Sequence, residues 1–272
     1  MRFSVRHETV YRYEAPVSLA PHVLRLTPRA DTGRVLSRRL LILPEPLSLI
    51  EETDAHGNCL TRVEFGPATQ RLSIESRFEV ETAVPGTAGQ DVVLPWREAP
   101  EGLAPCLAQA DPGAAVRSFA QGMVAAGGGR APGFLDALTT TLFARTDRRI
   151  RETGYAQSPE ETLLRAQGAC RDLAVLFIAC CRLMGLPARF VSGYQARAES
   201  VDGRRHLHAW PEVWLPGGWV AFDPTHGTRV SDGHVALFAA PEQAATMPVE
   251  GGYYGAPTGA ALRYSVEIET TG

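Results

Sequence analysis

Between residue 3 and about residue 82, apolar and polar positions alternate in short runs, at 3–13, 35–43, 60–65 and 72–80, broken by Pro and Gly. A period of two with one apolar face predicts strands, and the frequent breaks predict an antiparallel sheet or sandwich. Asp54-Ala-His-Gly57-Asn58 supplies the turn chemistry between two of these strands. Residues 83–112, rich in Pro, Gly and Ala, read as a crossover.

Beyond the crossover the period changes to that of helices. One is expected over 114–126, ended by Gly127-Gly-Gly129, which lacks the following Lys-Ser/Thr and the preceding strand of a nucleotide loop. A second runs from 134 to about 151, apolar at Phe134, Leu135, Leu138, Leu142 and Phe143. Ser158-Pro159-Glu-Glu161 gives an N-cap, a proline at the first helical position and a glutamate three residues after the cap, starting a short helix that Gly168 stops. A third long helix spans about 170–184; its stretch 173–181 is apolar on all sides, the mark of a centrally buried helix. After Gly185-Leu-Pro187 come a strand over 189–194 and two strands, about 205–215 and 219–223, flanking the hairpin signal Pro216-Gly-Gly218. Alternation over 262–269 predicts a closing strand.

Three polar signals fall on these elements. Gly168-Ala-Cys170-Arg-Asp172 places a thiol at a helix start, where unpaired N–H groups and the macrodipole favour thiolate. His208-Ala-Trp210-Pro-Glu212 follows 38 residues on, and Asp223-Pro224-Thr225 another 15 beyond the histidine. Cys, His and Asp are what thiol acyl transfer needs: a nucleophile, a base and a carboxylate that orients the base. The Cys170 N–H is itself an oxyanion donor by position. Alternation puts His206, His208, Trp210 and Glu212 on one strand face. A two-residue turn at Pro216-Gly217 sets Asp223 opposite Trp210, with His208 its diagonal neighbour; a turn at Gly217-Gly218 sets it opposite Glu212, farther from His208. The triad favours the first register, or a bulge near Pro211.

Other readings compete at several positions. His206, His208, Asp223 and Cys170 are zinc-ligand types, but their spacing matches no compact zinc motif; His206 reads as solvated, and His226 as a loop residue near the same hairpin end. Asp172 suffices as a dipole-stabilising carboxylate. Cys180 and Cys181, roughly 16 Å along the helix from Cys170, read as core filler, as do Cys59 and Cys106. Trp210 and Trp219 read as packing residues around the hairpin.

At 272 residues, 44% apolar and 21% charged, the chain is long enough for one large or two ordinary globular domains. The formal net charge of −3 argues against nucleic acid or an acidic membrane surface as partner. No apolar run reaches bilayer length, residues 1–7 alternate instead of forming a leader, and five irregularly spaced cysteines suit a reducing compartment, so the cytoplasm is the expected location. All 27 basic residues are arginine, so the chain has no ε-amine through which to crosslink itself.

The three motifs over 133–230 resemble the transglutaminase-like superfamily, a papain-like set of cysteine acyltransferases and proteases. His7-Glu-Thr9-Val-Tyr11-Arg-Tyr13, Pro16-Val17, Leu24-Arg25-Leu26-Thr-Pro28 and Asp54 to Asn58 resemble the β-rich domain that precedes this core in many bacterial members. The resemblance implies an α+β chain: a β-sandwich-like domain over 1–100, a helical linker over 101–132 and a papain-like core over 133–272, its nucleophile helix packed on an antiparallel sheet. It implies Cys170, His208 and Asp223 as triad, with a second oxyanion donor upstream, Tyr155 or Gln157. The family often has His three residues after its acid, where this chain has Val175. Peptide or protein substrates are implied, hydrolysis more than transamidation, with no cofactor and no calcium, since no Asp-x-Asp-x-Asp-Gly loop occurs. Relatives are often encoded beside amide-bond-forming enzymes, implying peptide-modifying partners. A non-catalytic peptide-binding scaffold is the rival from another class, and the intact Cys, His and Asp argue against it.

Overall fold

The computed structural model describes residues 1–84, 91–149, 151, 154–197 and 205–272. Its strands, in chain order, are β1 (Arg2–Leu19), β2 (His22–Leu24), β3 (Gly33–Leu43), β4 (Ser48–Thr53), β5 (Cys59–Glu64), β6 (Thr69–Thr82), β7 (Asp147–Arg148), β8 (Gln167–Gly168), β9 (Ala188–Gln195), β10 (His208–Leu215), β11 (Gly218–Asp223), β12 (Thr228–Arg229), β13 (His234–Ala240), β14 (Val249–Glu250), β15 (Tyr253–Tyr254) and β16 (Ala260–Thr271). The α-helices are α1 (Ala114–Ala126), α2 (Ala131–Arg145), α3 (Pro159–Arg165) and α4 (Cys170–Leu183). Part of the expected crossover, 85–90, lies outside the described residues.

The alternating N-terminal segments build two antiparallel sheets. One has the order β15-β1-β6-β3 with β16 also on β1; the other runs β14-β2-β5-β4. Tyr13, Val17, Leu72 and Ile74 of the first meet Leu24 and Val63 of the second in a shared core, the sandwich that the period-two pattern predicts. The closing strand, however, belongs to this sandwich and not to the C-terminal core: β16 pairs with β1 from Arg2↔Thr271 to Tyr13↔Ala260. The 133–272 boundary is corrected accordingly, because an alternating strand carries no local record of which sheet edge it will complete.

The C-terminal half is a sheet of order β12-β11-β10-β9-β13. Helix α4 packs against β10 and β9, and α1, α2 and α3 pack on α4. Leu173, Leu176 and Phe177 of α4 share a core with Phe134 and Leu138 of α2 and with Phe190, Val213 and Phe222 of the sheet. Every residue of β9 is buried. Its other face is covered by the sandwich: Phe3, Val5, Phe78, Val80 and Val266 pack on Tyr194, Val235 and Leu237. Two helix ends differ from expectation. Helix α2 stops at Arg145, where Thr146 turns extended, and α3 ends at Ala166, which takes the left-handed conformation (φ 49°) two residues before Gly168.

Candidate active site

Cys170 is the first residue of α4, after Ala169 in extended N-cap conformation. Its N–H has no carbonyl one turn earlier to bond. Ala169 has no side-chain acceptor, so the cap is supplied from inside the helix. Fully buried Asp172 accepts the Ala169 N–H on Oδ2 (2.7 Å), and on Oδ1 accepts the Gln157 N–H (2.8 Å) and the Arg151 guanidinium (2.6 Å). A residue that needs only to offset a dipole would not be buried with three donors. Asp172 instead ties the loop before α3 to the residue preceding the thiol. Cys170 itself is half-buried.

The hairpin of β10 and β11 takes the register of the Pro216-Gly217 turn, with Leu215↔Gly218, Trp214↔Trp219, Val213↔Val220 and Glu212↔Ala221. Extended by two positions, this sets Trp210 across from Asp223 and His208 on the diagonal. The His208 Nε2 lies 2.9 Å from Asp223 Oδ2, both residues buried. Trp210 flanks the imidazole, with ring centres 5.9 Å apart. His208 is the first residue of β10, the strand against which α4 packs.

Asp223 is more heavily engaged than a triad carboxylate requires. His226 Nδ1 (2.8 Å) and His234 Nε2 (2.9 Å) also meet Oδ2, while the Thr225 and His226 N–H groups donate to Oδ1. Burial alone would raise its pKa, but the charge of His208 and the hydrogen bonds of all three histidines hold the carboxyl well below its usual range. Burial pushes the His234 pKa down against the pull of Asp223. His234 is invisible to motif reading. Its only sequence signal is one polar ring at the head of the apolar run Val235 to Ala240. His226 does line the hairpin end.

His208, Asp223 and His234 bring potential metal-ligand atoms within 4.8 Å of one another. Their 2.9 Å N···O separations are those of hydrogen bonds. Ligands around a tetrahedral zinc with bonds of ~2.0 Å stand about 3.3 Å apart, so a metal would have to spread this cluster. The zinc set considered from sequence is not assembled: His206 turns its Nδ1 to the Tyr264 hydroxyl (3.3 Å), half-buried instead of solvated.

The remaining candidates separate by burial. Tyr155 is 65% exposed, whereas Gln157 is held through its N–H to Asp172 and through its Oε1, which accepts from the Thr162 hydroxyl (3.4 Å). Cys180 and Cys181 are fully buried, and burial raises both thiols well above the ordinary value. Cys106 is buried too, but Cys59 stands half-buried beside the Arg38 guanidinium and so is not core filler. Glu212 is held in a buried ion pair with Arg189 and Arg29. Trp219 packs on Trp214, with Arg189 over its ring.

Residues 3–81 match the model of the bacterial transglutaminase-like N-terminal region, and residues 117–224 that of the transglutaminase-like superfamily. An uncharacterized protein of Mycobacterium tuberculosis is 29% identical over 98% of this chain and 92% of its own. The protein-glutamine gamma-glutamyltransferase of Pseudomonas aeruginosa is 38% identical over 66 residues, 22% of this chain and 10% of that one. A crystal structure from Cytophaga hutchinsonii, described as a candidate cysteine protease, has the same fold, with a TM-score of 0.75 at 19% identity over 99% of this chain and 90% of that chain. The chain belongs to the transglutaminase-like superfamily, with the bacterial transglutaminase-like N-terminal region ahead of the core.

Proposed function

We propose that the protein is a thiol-dependent amidase or protease in which Cys170, His208 and Asp223 act as a triad. The observation that carries this reading is the buried 2.9 Å contact of Asp223 with His208, which begins the strand packed against the helix that Cys170 begins. With Nε2 engaged by the carboxylate, His208 exchanges its proton with the thiol through Nδ1. The thiolate sulfur bonds to the substrate carbonyl carbon, and the oxyanion is taken by the Cys170 N–H. Gln157 is proposed as the second donor in preference to Tyr155, because its backbone is fixed to Asp172 beside the nucleophile. The imidazolium then protonates the departing amine as the C–N bond breaks, leaving a thioester. His208 next removes a proton from water, whose oxygen displaces the thiolate and releases the acid. Asp223 keeps the imidazole in one tautomer and stabilises its charged form.

Transamidation is the second reading, favoured by the short match to the Pseudomonas gamma-glutamyltransferase; an amine would then replace water in the second half-reaction. The first experiment is the rate of iodoacetamide alkylation at Cys170 against pH, with the modified residue located by mass spectrometry. Rapid labelling that persists below about pH 8 and slows in His208→Ala is expected of a thiolate-imidazolium pair. Ordinary thiol behaviour indifferent to His208 would sink the enzymatic reading. Glutamine peptides incubated with and without a primary amine then separate the two acceptors: free acid in both samples means hydrolysis, and amine adduct means transamidation.

A further inference from the structure

The strand that carries His234 is fastened along its length to the N-terminal sandwich. Among the described residues β13 is an edge of the C-terminal sheet, pairing there only with β9, and an open edge normally has to be covered. Here the cover is specific. Just before β13, the Asp232 carbonyl accepts the Thr82 hydroxyl at 2.6 Å. Ala236 exchanges hydrogen bonds with the Thr32 hydroxyl, its N–H donating and its carbonyl accepting, both at 3.1 Å. Ala239 does the same with the side-chain amide of fully buried Asn58, both at 2.8 Å. Asn58 is itself fixed by Asp54, so the turn that appears in the sequence as a hairpin connection also serves as a clasp. Between these polar clasps, Val235 and Leu237 pack into the sandwich's apolar face.

His234 heads this strand and bonds the same Asp223 oxygen that His208 uses. Its imidazole also stands edge-on to Trp210, with centres 5.3 Å apart. A carboxylate on a strand end can rotate about its side-chain torsions; donors on several sides remove that freedom. We infer that His234 is a positioning residue that aims Asp223 at His208, and that the N-terminal sandwich sets it in place through β13. The sandwich is then part of the site's framework. The inference rests on the triad reading for its consequence in catalysis, but its geometry can be tested without catalysis.

The test uses the full chain labelled with ¹⁵N-histidine. The His208 Nε2–H proton resonance, identified by its disappearance in His208→Ala, is followed for solvent exchange, alongside Cys170 alkylation near pH 6. In His234→Ala the exchange is expected to speed up, and the alkylation to slow, by about tenfold, the loss of one hydrogen bond to a charged acceptor. His234→Gln, whose amide N–H reaches the place of the imidazole Nε2, should restore both; the shorter His234→Asn should not. Thr32→Val and Asn58→Ala, remote from the thiol, should move both readouts in the same direction by a few-fold. Unchanged exchange in His234→Ala overturns the positioning role whatever the thiol does. Unchanged readouts in both interface variants overturn the part assigned to β13. An ordinary wild-type thiol with a protected His208 proton overturns the acyl-transfer reading alone. If His234→Ala does not fold, equal behaviour of the Gln and Asn variants overturns the proposal.

Discussion

Burial would protonate an isolated Asp223, yet three imidazoles and two backbone N–H groups keep it charged. Its lowered pKa fixes the sign of its contribution. The stabilisation is complete above the ordinary value of 3.8 and is lost as pH falls through the lower folded value. Asp223→Asn removes the charge and leaves an amide facing N–H donors. Activity should fall by about 10⁴ with the fold retained, measured as kcat on whichever carboxamide the wild type turns over. Asp172 makes a different kind of prediction. Asp172→Ala strands the buried N–H of Ala169, at about 1–3 kcal/mol, together with the part-buried N–H of Gln157, and should lower the urea midpoint while slowing Cys170 alkylation. At this scale sequence reading singles out Cys170, His208 and Asp223, because each sits in a motif whose chemistry is explicit, and the structure brings the last two within 2.9 Å. It could not reach His234, since a lone histidine before an apolar run reads the same whether or not a carboxylate waits across the sheet.

Among the elements, the hairpin was the most legible, because a period of two and a known turn leave two registers and the His208–Asp223 contact selects one of them. Helix α4 was legible for a similar reason, since a helix apolar all round has to be central. The end of α3 was not, because Ala166 takes a conformation that sequence assigns to glycine. Gly193 of β9 shows what the sheet demands locally. A Cβ there would lie 2.1 Å from the Val235 carbonyl oxygen and 2.5 Å from the Trp210 indole. Gly193→Ala must therefore push either β13 or Trp210 away from the histidines. A cost of about 1–3 kcal/mol is expected in thermal unfolding, and Cys170 alkylation should slow with it.

For the whole molecule, the joint between the sandwich and the C-terminal sheet lies beyond the reach of the sequence, since composition marks two regions but not how they meet. Its polar centre is His7, whose Nδ1 lies 2.7 Å from the Tyr194 hydroxyl and whose Nε2 lies 3.3 Å from the Thr9 hydroxyl. Burial lowers the His7 pKa from 6.5 to about 4, so the folded protein holds it neutral where the unfolded chain would protonate it. Stability from this group is therefore fully present above pH 6.5 and is lost as pH falls towards 4, by about 3 kcal/mol at 1.36 kcal/mol per pH unit. Urea unfolding from pH 7 to 4 should show that slope in the wild type and a shallower one in His7→Gln.

The pairing of β1 with β16 has a consequence in time. β1 leaves the ribosome well before its neighbour β16, with the β9–β13 sheet and its helices made between them. Until β16 emerges, β1 must wait with one edge open, a template for wrong partners, and contacts so distant in sequence form slowly. Val266 of β16 also lies in the packing beneath Val235 and Leu237. The layer on which β13 rests is thus sealed only late in synthesis, and a nascent chain carries its thiol before it carries the finished support for the carboxylate.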